Sequence, residues 1–253
     1  MEDVSNYHQH TNYLHWLRKY IFTFRTVTPE GLHYFLAAST YSRIRIAQQL
    51  LPLLITASKT TPLARVIDVA GGTKEGDIDL SDLQALKLSL PRLRPHLTSM
   101  HTLAWETLVQ QAPTVSFVHD FPGSVYTELH KGGSRWFERT LGVVFEIFYF
   151  LLGRWLFVPI EECGERHVFL ATSGRYKPKE GQAVGVALVD GIEDGIGSDG
   201  EVGSGVYSVD WDGEGPGETA EHALKGLRKK GVREIVWDHY EAQFEKAVKS
   251  AAS

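Results

Sequence analysis

The stretch TVSFVHDFPG, residues 114–123, is a short apolar run that ends in a Pro-Gly turn, a pattern typical of a buried strand. An amphipathic helical pattern precedes it at 97–111. Further upstream lie an apolar run closed by two glycines, ARVIDVAGG (64–72), and a helical pattern over 28–54 that we expect to end at Pro52. Helices and strands that alternate with short links predict an α/β fold, with a parallel sheet and flanking helices.

Beyond this strand the pattern continues. EECGERHVFLATS (161–173) predicts a helix, and GVYSVDW (205–211) predicts another strand. We divide the chain into an atypical N-terminal segment (1–27), a core (28–212) and a charged helical C-terminal segment (213–253). In the last of these, the basic run LRKK favours a solvated face over a binding patch.

Composition excludes several classes of protein. The 253 residues contain 43% hydrophobic side chains, which is a globular composition, and the net charge of −5 gives no basic field to hold nucleic acid. Cys163 is the one cysteine, so an internal disulfide is excluded, and no histidine or cysteine spacing predicts a metal site. The polar, acidic start lacks the pattern of a secretory signal, and we expect a cytoplasmic protein.

The most apolar stretch is LGVVFEIFYFLLGRWLFVPI, residues 141–160. Its length is enough to span a bilayer, but Glu146 and Arg154 lie inside it, and both are costly at membrane depth. The composition favours a buried or substrate-covering helix pair, and the alternative is a surface that rests on a membrane.

Four quoted stretches, in this order, carry a family resemblance: TPEGL leading into YSRIRIAQQLLPLL, RVIDVAGG, HDFPGSVYT and CGERHVFLATS. Together with GSGVYSVDWDGE they resemble the short-chain dehydrogenases/reductases, in a divergent group common in fungi, over residues 28–212. The resemblance implies a partial Rossmann-type sheet, NAD or NADP as cofactor, and hydride transfer to or from a carbonyl or alcohol carbon. The cofactor would carry the redox chemistry, while the protein orients it and handles a proton.

The catalytic positions of that family hold unexpected residues here. The family's asparagine position falls on Ser39 and its serine position on Gly71 or Ala70, while its tyrosine and lysine positions fall near Arg92 and His96. The family uses Tyr-x-x-x-Lys because a nearby ammonium brings the phenol pKa toward neutrality, and this chain has no such motif. Arg92 stays charged and cannot deliver a proton, whereas His96 is either a general acid or a polar surface residue.

The Pro-Gly turn does match the family. Pro122, Gly123, Val125 and Thr127 stand at the positions that the resemblance places beside the nicotinamide, and these are the candidate cofactor-binding residues. The alternative is an ordinary strand-to-helix turn in which Thr127 caps the next helix.

A phosphate-binding loop is missing from its expected place. Residues 1–27 contain no glycine, so the resemblance begins at about the family's fourth strand, for which YIFTFRTV (20–27) is a possible substitute. A Gly-x-Gly-x-x-Gly pattern at 195–200 lies among acidic residues and favours a surface loop, because such a motif needs a following helix.

Two hypotheses follow. The first is a truncated NAD(P)-dependent oxidoreductase for a small lipophilic carbonyl or alcohol, with a degenerate catalytic site and weak or no dinucleotide binding. The second is a pseudoenzyme that retains the fold as a non-redox binding or scaffold protein. Either would take a small molecule and not nucleic acid, with peripheral membrane contact through 141–160 and homo-oligomer formation as further options.

Overall fold

A computed structural model of the chain describes residues 26–61, 63–125, 157–181 and 185–251. Thr127, residues 20–25 and residues 141–156 lie outside these ranges, so the predictions made for them stay predictions. Within the described ranges, every helix is too short or too polar to cross a bilayer.

Three short strands form a parallel sheet in the order β1-β2-β3: β1 (Arg65–Val69), β2 (Ser116–Asp120) and β3 (Val206–Val209). In register, Asp68 faces His119 and His119 faces Ser208, so these three side chains form one row across the sheet. The predicted α/β class, with a parallel sheet flanked by helices, is confirmed.

Five helices of twelve or more residues flank the sheet in the described ranges. These are α1 (Ser42–Ser58), α2 (Leu90–Gln111), α3 (Ile160–Thr172), α4 (Glu218–Lys229) and α5 (Val232–Ala251). A short helical entry, Tyr34–Leu36, runs through a π-helical turn, Ala37–Tyr41, into α1.

Alternation along β2 divides the core between the two faces of the sheet. Phe117 points to the larger cluster, where α1, α2, α4 and α5 pack and where Trp105 stacks on its ring at 5.6 Å between centroids. Val118 points to the smaller cluster with Leu170 of α3 and Tyr207 of β3. The sheet is therefore covered on both faces, as expected for parallel strands.

The predicted end of α1 and the predicted start of α2 both need correction, and a proline lies near each. Pro52 does not end α1, which continues to Ser58. The packing of the buried side chain of Leu51 in the larger core offsets the backbone hydrogen bond that Pro52 removes. Likewise α2 begins at Leu90, seven residues before the predicted start, because Pro91 lies in its first turn, where a missing N–H is harmless.

The C-terminal basic run is not a purely solvated face. Arg228 of α4 donates from Nη2 to Glu106 of α2 at 2.8 Å and also to the carbonyl of Ser198. The Glu106 side chain is 7% exposed, so this cation compensates a buried carboxylate and joins α4 to the core. Lys229 and Lys230 are exposed, as predicted for the run.

Candidate functional site

Ser39 and Gly71, which stand at the family's asparagine and serine positions, make unrelated contacts in the structure. The hydroxyl of Ser39, in the π-helical turn, donates to the carbonyl of Phe35 at 2.7 Å. Gly71 follows β1, and its N–H donates to Nε2 of His119 at 3.2 Å. A Cβ at Gly71 would lie 2.6 Å from Oγ1 of Thr98, so the serine position has no room for a side chain while Thr98 keeps this rotamer.

Arg92 and His96, both near the start of α2, contact the same loop around Asp79. Arg92 is 62% exposed at its side chain and lies 3.5 Å from Oδ2 of Asp79. Nδ1 of His96 accepts from the Asp79 N–H at 3.1 Å, and its Nε2 lies 3.3 Å from the carbonyl of Leu83. Burial lowers the pKa of His96. Both ring nitrogens are thus engaged by loop backbone, which favours a structural role over proton transfer.

A buried hydrogen-bond chain runs under α2. Because Nε2 of His119 accepts from Gly71, its Nδ1 carries the proton and donates to Oγ1 of Thr102 at 2.9 Å. Thr102 and Ser208 each donate to Oε1 of Glu75 at 2.6 Å. Burial lowers the pKa of His119 to about 3 and raises that of Glu75. The imidazole is therefore neutral, and this series of hydrogen bonds links the loop after β1 to α2 and β3.

Asp68 of β1 is the anionic centre of the same layer. Its Oδ1 accepts from Arg43 at 2.6 Å, and its Oδ2 lies 3.1 Å from Nδ1 of His101 and 3.3 Å from Nε1 of Trp105. Burial alone would raise the pKa of Asp68, but His101 and Arg43 hold it well below its usual range.

Asp68, His101 and His119 could together offer three ligand atoms to a metal ion. However, the Arg43 guanidinium already neutralises the one carboxylate, and the Gly71 N–H occupies Nε2 of His119. This donor set fits a structural hydrogen-bond network better than a cation site.

The candidate active site lies on the opposite face, at the carboxyl ends of β2 and β3. A cavity of about 370 Å³ opens there between α3 and the link after β3. In parallel α/β sheets, ligands bind outside the carboxyl ends of the strands. The cavity is therefore in the position that the fold favours for a ligand.

The Pro-Gly turn borders this cavity. Pro122 is part of its lining, and Gly123 has a φ of +78°, a left-handed conformation that favours glycine. A Cβ at Gly123 would also lie 2.9 Å from Cβ of Trp211 and Cγ2 of Val158, and Val125 forms a bridge to Val158. The turn therefore borders the cavity, its contact with a nicotinamide stays a prediction, and Thr127 lies beyond the described residues.

An aspartate and a histidine face each other inside the cavity. Asp120, at the end of β2, is 2% exposed, and its Oδ2 lies 3.1 Å from Nε2 of His167 on α3. Nδ1 of His167 lies 2.7 Å from the carbonyl of Cys163 and must donate to it, so Nε2 is the nitrogen that faces Asp120. Burial raises the pKa of Asp120 to about 6, although the nearby His167 lowers it. The two side chains are therefore placed so that a proton can pass between them.

Cys163 lies one helical turn from His167, with Sγ 3.6 Å from Nδ1. Burial raises the pKa of the Cys163 thiol, and the proton on Nδ1 is directed at the Cys163 carbonyl. The thiol is therefore not activated as a nucleophile.

An indole ring closes the cavity beside this pair. Trp211 is 42% exposed, and the Arg166 guanidinium lies 4.5 Å from its ring centroid. Arg166 also bonds to Glu162 and to the carbonyl of Trp211. Lys74 pairs with Asp210 at 2.6 Å and, although burial opposes it, this contact holds the pKa of Asp210 below its usual value.

Sequence reasoning missed the acid–base pair. Asp120 stood inside the quoted strand and His167 inside the predicted helix 161–173, but the two are far apart in sequence. The available signal was the polar end of an otherwise apolar strand, His119-Asp120, because polar side chains at the carboxyl end of a parallel strand commonly face the site.

The glycine patterns carry acidic side chains in the structure. The pattern at 195–200 lies around a turn between bridged residues Ile196 and Val202, and a strand, β3, follows it. Gly195, Gly197 and Ser198 are buried, so the predicted surface loop is exposed only in part. A second glycine-rich link, 213–217, leads from β3 into α4, but Asp212, Glu214 and Glu218 stand along it. Carboxylates so close oppose a bound pyrophosphate.

Three fungal proteins are similar to this chain over most of its length. An oxidoreductase of Emericella nidulans is 35% identical over 225 residues, which are 88% of this chain and 65% of that protein. An oxidoreductase of Aspergillus sp., named for an NmrA-like family domain, is 33% identical over 237 residues, 90% of this chain and 62% of that protein. A short-chain dehydrogenase/reductase of Stachybotrys chartarum is 29% identical over 221 residues, 85% and 59% of the two chains.

The chain thus spans about 59–65% of the length of these relatives. No family model matches the chain, and no solved structure matches it. These relatives bear oxidoreductase or dehydrogenase/reductase names, so this α/β chain is a homologue of fungal proteins named as oxidoreductases.

Proposed function

We propose that the chain is the sheet and cavity portion of a short-chain dehydrogenase/reductase-type oxidoreductase that acts on a small lipophilic carbonyl or alcohol compound. One observation carries this proposal. The cavity at the carboxyl ends of β2 and β3 holds a proton-exchanging pair, Asp120 and His167, beside the Pro-Gly turn that the family resemblance places near the nicotinamide.

The usual proton donor of the family has no counterpart in this chain, and Asp120 with His167 supplies one by different chemistry. A carboxyl group with a pKa near 6 is matched to proton transfer around neutral pH. Cys163 orients the ring, since its carbonyl holds the Nδ1 proton and directs Nε2 at Asp120. The catalytic site is thus altered from the family pattern rather than empty.

The residues at the cavity fit one end of a nicotinamide dinucleotide and not the other. Pro122 and Gly123 bring backbone close to the cavity, which suits the nicotinamide ring, whose hydride chemistry the cofactor would supply. The links around it carry Asp210, Asp212 and Glu214, which repel phosphate oxygens. We therefore expect NAD or NADP to bind this chain weakly. We also propose that the protein is cytoplasmic.

A second function has its own support. Arg92 and His96 are engaged by the loop around Asp79, and the serine position at Gly71 has no room for a side chain. These contacts favour a non-redox protein that retains the fold and uses the same cavity to bind a small molecule.

Titration of the purified chain with NADPH, followed through tryptophan fluorescence, separates the two functions. The oxidoreductase proposal predicts weak saturable quenching, with a Kd on the order of 1 mM, that is lost in Trp211→Phe, because Trp211 lines the cavity. Micromolar binding would contradict the expected weak binding. Absence of quenching at saturating NADPH would favour the non-redox function.

A further inference from the structure

An apolar groove follows the open edge of the described sheet. A cavity of about 520 Å³ lies there between α1 and β1. Ile46, Leu50 and Leu54 of α1 line it, and the first two are 58% and 46% exposed. We propose that this groove holds a segment from the N-terminal part of the same chain, residues 16–25 (WLRKYIFTFR), as a further strand parallel to β1.

The backbone of β1 offers hydrogen-bonding groups to the groove. The Ser116 N–H donates to the carbonyl of Ala64 at 3.1 Å, so the even-numbered residues along this strand face β2. Because bonding directions alternate along a strand, the N–H and C=O groups of Arg65 and Ile67 point to the open edge. A row of such groups is a template for pairing with a further strand.

The direction of α1 sets the direction of a strand that precedes it. At the start of α1 the Arg43 guanidinium donates to the carbonyl of Val69, the last residue of β1, at 2.7 Å. At its end the hydroxyl of Ser58 lies 2.7 Å from that of Thr114, just before β2. The helix therefore runs from the carboxyl end of the sheet to its amino end. A strand that leads into α1 and pairs with β1 is thus parallel to β1, with the helix as the crossover between them.

The chain that precedes the described residues has the length for this place. The described chain begins at Thr26, whose carbonyl accepts from the N–H of Tyr34, the first residue of the helical entry to α1, at 2.8 Å. Ten extended residues span about 33 Å, whereas β1 spans about 16 Å. Residues 16–25 are therefore long enough to run along the groove and end at the helical entry.

The composition of this segment suits a strand with one apolar face. Residues 20–25, YIFTFR, are rich in aromatic and β-branched side chains, which strands favour. Tyr20, Phe22 and Phe24 alternate with the others, and alternate side chains of a strand share one face. Three aromatic rings on one face match the exposed apolar side chains of α1 that line the groove.

Amide hydrogen exchange of the full chain, followed by NMR, tests the pairing directly. The N–H groups of residues 20–25 and of Ile67 should exchange at least about 100-fold more slowly than those of an unstructured chain, whereas residues 1–13 should not be protected. Unstructured-chain rates over 20–25 would overturn the proposal. Protection that rises with protein concentration would assign the groove to a second copy and would overturn it as well.

A substitution within the segment links its two sides. Phe22→Asp places a charge on the aromatic face of the segment, which should release it from the groove and speed exchange at the Ile67 N–H at least about tenfold. Tyr7→Asp makes a similar change upstream of the segment and should leave this rate unchanged. An equal rate at Ile67 in the two variants would show that the groove does not hold residues 16–25.

A substitution in the groove gives the reciprocal test. If the segment covers Leu50, Leu50→Lys buries a charge and should raise the unfolding equilibrium constant at least about tenfold in urea. Val248→Lys, at a 60% exposed position of α5 outside the groove, should change that constant no more than about twofold. Equal stability of the two variants would show that the groove is open to solvent. If a variant does not fold, amide exchange on the unaltered chain still decides.

Discussion

Single residues at the carboxyl edge of the sheet show how closely backbone and side chains are packed there. Gly72 follows β1, and a Cβ added to it would lie 2.1 Å from the carbonyl oxygen of His119 and 2.7 Å from that of Val209. Because both neighbours are backbone atoms of the adjacent strands, neither can move aside without breaking the sheet. Glycine is required here for close approach and not for an unusual φ.

Gly72→Ala should therefore lower the free energy of unfolding by about 3 kcal/mol or more, or prevent folding. Gly164→Ala on α3 is the matched control, since a Cβ there meets nothing within 4 Å. It should gain roughly 0.5–1 kcal/mol because alanine favours helix. Denaturant unfolding of the two variants is the measurement, and equal stability of the two would contradict this packing.

Asp68 gives a prediction with a defined pH dependence. Its pKa is below the ordinary value in the folded chain, so its contribution to stability is fully present above the unfolded pKa and is lost as the pH falls through the folded pKa. Asp68→Asn should cost about 3–5 kcal/mol at pH 7 because Arg43 and His101 lose their partner. The difference from the unaltered chain should shrink below about pH 4.

Thermal unfolding across pH 3–8, with Asp238→Asn as the exposed control, checks this dependence. A destabilisation that stays constant through pH 3 would show that Asp68 contributes by packing and not by charge.

At the scale of elements, α4 and α5 attach the C-terminal segment to the larger core cluster. Leu224 and Leu227 of α4, with Val232, Val236 and Tyr240 of α5, are buried in the larger core cluster. Glu106 and Arg228 then join α2 to α4, and the Ser198 hydroxyl donates to the same carboxylate at 2.8 Å. The segment beyond residue 213 is thus packed on the same core as β1 and β2.

Arg228→Met should destabilise the fold by about 3 kcal/mol because it leaves Glu106 buried without a cation. Lys229→Met changes the same charge at an exposed neighbour and should shift stability by no more than about 0.5 kcal/mol. A double-mutant cycle with Glu106→Gln measures the coupling of the pair. Additive effects of the two changes would rule out this ion pair as the link between α2 and α4.

The elements were largely predictable from the sequence, and their limits were not. An apolar run predicted β2, and helical periodicity predicted α3. The alternation of helices and strands along the chain predicted a parallel sheet. Pro52 misled because tertiary packing made this proline tolerable within α1, and α2 begins earlier than predicted, with Pro91 in its first turn. The role of Arg228 was hidden because its partner Glu106 is more than a hundred residues away.

At the scale of the whole molecule, the candidate active site is formed by contacts between residues that are far apart in the sequence. Asp120 and His167 meet because β2 and α3 pack together, and the burial that raises the Asp120 pKa comes from the fold as a whole. The family positions at Ser39, Gly71, Arg92 and His96 could be located in sequence, but their engagement by neighbouring backbone could not. The Pro-Gly turn named by the resemblance borders the cavity through Pro122, and its role in holding a cofactor stays a prediction.

One edge of the described sheet is open. β1 is the edge strand of the described sheet, and Ile46, Leu50 and Leu53 of α1 are exposed beside it. An open edge next to apolar side chains favours association with further strands or with a second copy. Homo-oligomer formation stays a proposal that this surface supports.

The acid–base pair at the carboxyl edge is tested most directly by carbon-13 NMR titration of the Asp120 carboxyl, assigned by comparison with Asp120→Asn. Burial between β2 and α3 predicts a midpoint at about pH 6. A midpoint near pH 4, the ordinary value for an aspartate, would show that Asp120 is solvated and would contradict its role as a proton donor in this cavity.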